Sequence, residues 1–247
     1  MKHQVLKTKQ EMGVAAARAG AAQVRAAIAA RGHANIIVAT GASQFEMLDA
    51  FVTEKIEWNK VTAFHLDEYV GLPITHPASF RIYLWERFVR RLPLPLKAFH
   101  YLDAEGDAAA MIADVNAIIA CHPIDVAFVG IGENGHLAFN DPPADFETEK
   151  PYIVVKLDDA CRKQQVGEGW FKEMKDVPTH AVSMSVKQIM KSASIICSVP
   201  DERKARAVRS TIEGPVTASL PASIMQQHPN TTIFLDQPAA SLLRKTS

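Results

Sequence analysis

The chain has 247 residues, and 27 lysines and arginines balance 27 aspartates and glutamates, so no net field draws it onto a nucleic-acid backbone or an anionic membrane surface. Apolar residues make up 48% and aromatics 7%, no apolar run reaches the roughly 20 residues a bilayer span needs, and the basic start MKHQVLKTKQEMG leads into no leucine-rich secretory core. Three cysteines, Cys121, Cys161 and Cys197, are odd in number and lack C-x-x-C spacing; this fits reduced thiols in a cytoplasm and spells no metal site.

In chain order, the alanine-rich stretch Lys9 to Arg31 predicts one long helix closed by Gly32. A short strand, Asn35 to Thr40, runs into the small-residue turn Gly41-Ala42-Ser43-Gln44. Phe45, Leu48, Phe51 and Val52 then have the spacing of a helix face, which makes a βαβ opening. A second strand, Val61 to Leu66, ends on Asp67-Glu68-Tyr69, and the proline-bearing loop Leu72 to Pro77 precedes a helix from Ala78 to Arg91. A helix from Asp107 to Ala120 leads into the strand Asp125 to Val129. Beyond it, strands at Tyr152 to Leu157, Ala181 to Val186, Ser194 to Val199 and Thr231 to Leu235 alternate with helices at Cys161 to Met174, Glu202 to Ile212 and Thr217 to Gln226. No linker, repeat or low-complexity tract interrupts the pattern. It predicts a single α/β domain over residues 1–247: a three-layer α/β/α fold with a mostly parallel, Rossmann-like central sheet and an antiparallel strand late in the chain.

Three strand ends carry chemistry. The apolar run Val126 to Val129 gives way to Gly130, Gly132 and Gly135, a loop where backbone approaches something closely, and the loop presents Asn134, His136, Asn140 and Asp141. Thr40, Gly41, Ala42 and Ser43 offer backbone amides and a hydroxyl to an anion, although Ser43 could equally just cap the next helix. The turn is neither a Walker loop nor a Gly-x-Gly-x-x-Gly dinucleotide turn. Asp67 and Glu68 follow a buried strand, so they stand either at a pocket edge, where desolvation readies a carboxylate for proton transfer, or in a solvated turn. A His65-x-Asp67 metal pair lacks the further ligands that would complete a shell.

The segments LDEYVGLPITHPASF (Leu66 to Phe80) and GIGENGHLAFNDP (Gly130 to Pro142) resemble the glucosamine-6-phosphate deaminase/isomerase family, whose broader superfamily includes 6-phosphogluconolactonases. The likeness extends from the Thr40-Gly41 turn to Lys204–Gly214 and Pro221-Ala222-Ser223. It implies a phosphosugar substrate with no cofactor or metal: an aminosugar 6-phosphate is ring-opened, a proton moves from carbon 2 to carbon 1, and ammonia leaves to give a ketose 6-phosphate. On this resemblance Asp67 is the base that moves the carbon-bound proton. His136 shuttles a proton between anomeric hydroxyl and ring oxygen, flanked by Asn134 and Asp141 where the family carries two acids.

Asn134 can accept from the imidazole but adds no charge, so Asn134→Asp is expected to shift the pH optimum rather than abolish turnover. Asparagine also stands here in galactosamine-6-phosphate isomerase relatives, which leaves the sugar epimer open. Glu68, Gly132 and Gly135 complete the expected substrate lining. Lys204 matches the family's late-helix phosphate lysine, and its phosphate arginine, missing near Gly169-Trp170-Phe171, is expected to be replaced by Arg162 or Lys163. Other readings are a 6-phosphogluconolactonase-like enzyme, a phosphosugar isomerase that releases no ammonia, and a sugar-phosphate sensor without turnover. The retained Asp67 and His136, and the lack of room before Arg31 for a DNA-binding segment, argue against the sensor. Oligomeric state, homo-oligomer or otherwise, is not legible.

Overall fold

The computed structural model of the chain describes residues 1–244. Its elements are β1 (Lys2–Leu6), α1 (Lys9–Arg31), β2 (Ala34–Val38), α2 (Phe45–Phe51), β3 (Val61–His65), β4 (Asp67–Tyr69), α3 (Phe80–Arg87), β5 (Ala98–His100), α4 (Ala108–Ala120), β6 (Val126–Val129), β7 (Tyr152–Lys156), α5 (Asp159–Gly167), β8 (His180–Met184), α6 (Val186–Met190), β9 (Ser194–Val199), α7 (Ala205–Glu213) and β10 (Thr231–Asp236). Seven strands form one sheet in the order β1-β10-β9-β6-β2-β3-β5, and every pairing in it is parallel.

The central strands are apolar on both sides, as burial under two helical layers requires. Ile37, Phe64, Ala127, Val129 and Ile195 face a cluster that includes Val115 and Ile119 of α4 and Val208 of α7. Their alternates Ile36, Val38, Phe128 and Ile196 face α1 and α2 through Val24, Leu48 and Phe51. The sheet is thus the middle of three layers. Helix α1 starts where the Thr8 side chain accepts the Glu11 N–H and stops at Gly32, whose φ of 78° releases the chain. Gly20 lets α1 lie flat on the sheet, because a Cβ there would stand 2.2 Å from the Phe128 ring.

Several boundaries differ from the sequence expectation. β1 lies outside it, since KHQVL is largely polar; the strand pairs only with β10 and stays mostly exposed. So does β5, a three-residue strand at the opposite edge. The strands at Tyr152 and Ala181 do not join the main sheet. They form a separate antiparallel sheet, β4-β8-β7, with β4 carrying Asp67 at one edge. The expected helix from Cys161 to Met174 is shorter, ending at Gly167 before Gly169 at φ 81°, and the one from Thr217 is a run of 3-10 turns over Pro221–Gln227. No helix among the described residues is long and apolar enough to cross a membrane.

Candidate active site

Strands β3 and β5 lie to one side of β2, and β6, β9, β10 and β1 to the other, so the topology reverses between β2 and β6. Open parallel sheets hold ligands beyond the carboxyl ends of the strands at such a point. A cleft opens there, lined by Thr40, Gly41, Ala42 and Ser43 after β2, by Gly130, Gly132 and His136 after β6, and by Asp67 of β4. The structure thus brings the expected turn, Asp67 carboxyl and imidazole together at the cleft wall, with the expected Lys204 reaching it from the turn before α7.

At one end the turn after β2 is fastened from below. The Gln44 carboxamide donates to Ser43 Oγ at 3.1 Å and to the Val129 carbonyl at 3.2 Å, and the Tyr83 hydroxyl donates to the Gly41 carbonyl at 2.9 Å. The Gly41 carbonyl is thus held by Tyr83 and by the Gln44 N–H, and Thr40 to Ser43 line the cleft with backbone amides and a hydroxyl, groups suited to an anion. Lys204, only 5% exposed, lines the same cleft, and burial lowers its pKa. Arg203 beside it also lines the cleft and lies 3.4 Å from Glu133.

At the other end Asp67 is 6% exposed, and its Oδ1 has no hydrogen-bond partner. Burial, reinforced by the neighbouring Glu68 charge, pushes its pKa up to about 8, so the carboxyl holds its proton until mildly alkaline pH. Glu68 itself is not part of the cleft wall. Side chains on successive strand positions leave on opposite faces, and Glu68 turns to anchor α3. It accepts N–H groups of Tyr69, Phe80 and Arg81 and the Ser79 hydroxyl, with the Arg81 guanidinium at 3.5 Å. This corrects its expected place among substrate contacts. His65 is fully buried, is driven down to about 3 by burial and by Arg81, and stays neutral against the Leu102 N–H.

His136 stands at the cleft wall with Gly132 against its ring; a Cβ at Gly132 would fall 2.3 Å from the imidazole. Its Nδ1 lies 3.3 Å from Asp141 Oδ1. Burial alone would raise Asp141, but the bond and charge of His136, the Asp158 N–H and the Asn134 amide outweigh it and hold the carboxyl below the usual range.

Asn134 does not accept from the imidazole, contrary to the sequence expectation. Its Oδ1 accepts the backbone N–H of His136 at 3.0 Å, and its Nδ2 donates to Asp141 Oδ1 at 3.1 Å. Asn134 and Asp141 therefore stand behind the imidazole rather than in the cleft. Gly135 also lies off the wall: with φ at 84° it turns the loop and packs on Leu220. Asn140 is buried, and its amide ties the loop to Leu137, Ser183 and Met184.

Arg162 is the clearest misplacement. Its guanidinium donates to the Met174 and Val177 carbonyls at 2.7 and 3.0 Å, turned away from the cleft. The Arg162 guanidinium is held by the two carbonyls, while Gln164, Gln165 and Glu168 are the members of this segment that line the cleft. They lie outside the sequence expectation, as does Arg203; their positions carry no motif. The nearest thing to a ligand set is His136, Asp141 and Cys161, with donor atoms within 4.8 Å of one another. It is already engaged internally, since Asp141 faces the imidazole and accepts from the Asn134 amide and the Asp158 N–H; we assign it no metal.

Residues 7–234 match the family described as glucosamine-6-phosphate isomerases/6-phosphogluconolactonase. A glucosamine-6-phosphate deaminase of Streptococcus pneumoniae (strain 70585) is 37% identical over 216 residues, 87% of this chain and 90% of the relative. A monomeric glucosamine-6-phosphate deaminase of known structure superposes with a TM-score of 0.86 at 27% identity, covering 98% of this chain and 100% of that one. A 6-phosphogluconolactonase from Trypanosoma brucei shares the fold, with a TM-score of 0.80 at 17% identity over 98% of both chains. The chain belongs to this family.

Proposed function

We propose that this member of the glucosamine-6-phosphate isomerase/6-phosphogluconolactonase family converts glucosamine 6-phosphate to fructose 6-phosphate and ammonia. The observation that carries the reading is one cleft whose walls bring together the buried Asp67 carboxyl, the His136 imidazole, the turn Thr40 to Ser43 and the cations Lys204 and Arg203. The phosphate sits on the amides of Gly41 to Ser43, with Ser43 Oγ and the two cations. The reading is supported by the relatives named as glucosamine-6-phosphate deaminases.

The chemistry follows from two proton carriers in different environments. His136, whose imidazole can both accept and donate a proton, takes the anomeric hydroxyl proton and returns it to the ring oxygen as the ring opens. Asp141 stands behind it, its Oδ1 3.3 Å from Nδ1. Asp67, desolvated and without a partner on Oδ1, takes the proton from carbon 2 and delivers it to carbon 1 from the same face. Its raised pKa of about 8 makes it a stronger base than an exposed carboxylate and matches it to a weakly acidic carbon proton. Water then adds to carbon 2, and ammonia departs.

The deciding experiment supplies glucosamine 6-phosphate and galactosamine 6-phosphate separately and reads ammonia and ketose 6-phosphate together. Equal yields of both products from the gluco epimer are expected. Ketose formed from glucose 6-phosphate, with no ammonia from either aminosugar, would indicate a non-deaminating isomerase, and hydrolysis of 6-phosphogluconolactone with neither product would indicate a lactonase.

A further inference from the structure

The loop that carries His136 meets the start of α5 at Asp158, a residue outside the cleft. Its Oδ1 accepts the Cys161 N–H at 2.5 Å and caps α5, and its backbone N–H donates to Asp141 Oδ2 at 3.1 Å. Its second carboxylate oxygen lies 3.5 Å from Asn134 Nδ2, the same nitrogen that donates to Asp141 Oδ1 at 3.1 Å. The Asn134 amide nitrogen is therefore set between two carboxylates, one proton toward each, while Asn134 Oδ1 accepts the His136 N–H. Every polar atom of the Asn134 side chain has a partner in this arrangement. An aspartate at position 134 would keep the bond from His136 but put an oxygen where the nitrogen stands. Three carboxylates would then meet with no proton between them, and like charges at such separations repel strongly in a half-buried setting.

From this geometry we infer that Asp158 is a positioning residue for the proton-transfer pair: it holds Asp141 against the imidazole and fixes position 134 as an amide. The inference rests on the proposed deaminase reading for its kinetic consequence, but not for its structural one. The carboxylate of Asp158 is tolerated beside Asp141 because the first turn of α5 and the Asn134 amide both donate to it. The two side chains are thus one unit: exchanging acid and amide between them restores a donor facing an acceptor across positions 134 and 158, although Asp141 Oδ1 loses its amide donor. The amide that Asp158→Asn introduces can donate to the carboxylate that Asn134→Asp introduces, and it still caps the helix, since asparagine caps as well as aspartate.

The test is a double-mutant cycle on the full chain with Asn134→Asp, Asp158→Asn and the pair, reading melting temperature and the kcat and KM for ammonia release. Asn134→Asp alone is expected to lower kcat about tenfold or more with KM within about threefold, and to lower the melting temperature. Asp158→Asn alone is expected to cost about threefold in kcat. The pair is expected to regain at least about threefold of the kcat lost in Asn134→Asp and part of its melting temperature, a non-additivity that separated residues do not show. Asn134→Asp combined with Asp158→Ser, which keeps a capping hydroxyl and removes the acid, serves as the second rescue. Additive effects in both readouts, or a loss confined to KM, overturn the inference. A wild-type chain that releases no ammonia overturns the functional reading and the kinetic half of this one, while the melting cycle still decides whether the two residues act as a unit.

Discussion

Asp67→Asn should make the protein more stable and almost inactive, and the gain should depend on pH in a defined direction. The folded carboxyl titrates near 8 against an ordinary value of 3.8, so between those values the folded state holds a proton that the unfolded state has released. Stability of the wild type therefore falls as pH rises through that window and levels off above it. Each pH unit of such a gap is worth about 1.4 kcal/mol, and a gap of about four units sets a ceiling near 6 kcal/mol.

Relaxation and water entry at a cleft wall reduce this, and half the ceiling, about 3 kcal/mol, corresponds to about 6–12 °C in melting temperature for a chain of this size. The neutral asparagine has no such dependence, so the two melting curves should converge near the ordinary carboxylate value and separate by that amount at about pH 8 and above. Thermal melts of both proteins across this range provide the measurement. Ammonia release should drop by about 10²–10⁴ with the loss of the base. In the wild type kcat/KM should climb with pH to a midpoint near 8. Melting curves that stay parallel from acid to alkaline pH would refute the reasoning, because they would mean that Asp67 ionises as an exposed carboxylate does.

Gly132→Ala should force the His136 ring off Asp141, because its Cβ would stand 2.3 Å from the imidazole; steady-state kinetics should show kcat down by about 10²-fold or more with the melt little changed. Glu68→Gln should put an amide among the N–H groups of Tyr69, Phe80 and Arg81 and beside the Arg81 guanidinium, destabilising the fold by about 3–5 kcal/mol in urea titration. Arg162→Ala should cost about 1–3 kcal/mol of stability through the orphaned Met174 and Val177 carbonyls and leave KM for the phosphosugar unchanged, whereas Lys204→Ala should raise KM about tenfold or more with a smaller effect on kcat.

The long-range layout was legible because burial writes itself into composition. Val126 to Val129 and Ile36 to Val38 are apolar on both faces since helices cover both, and Gly32 stops α1 since only a left-handed residue releases the chain there. The cleft residues Ser43, Asp67 and His136 were legible because each follows a buried strand, where parallel sheets place ligands. Contacts set by facing were not. Glu68 and Asp67 look alike as adjacent acids, and only the strand's alternation separates the anchor of α3 from the cleft carboxylate. Arg162 belongs to the right helix but the wrong side of it, and the partners that hold it, Met174 and Val177, follow a turn at Gly169 that residue spacing does not reveal. β1 went unread because an exposed edge strand has no inward face to make apolar.

The three-residue ribbon β4 ties two obligations to a single parity. Its register against β8 sets Asp67 opposite Ser183 and Glu68 opposite Val182, while the Met184 N–H on the Leu66 carbonyl and the Tyr152 hydroxyl on the His65 carbonyl fix where the ribbon begins. Adding or deleting one residue between those fastenings would exchange the places of the neighbouring acids, pointing the helix anchor into the cleft and burying the cleft carboxyl beneath α3. Length in this stretch is therefore far less free to drift than identity. Loop grafts or chimeras between relatives should keep the junction from His65 to Tyr69 as one uncut piece.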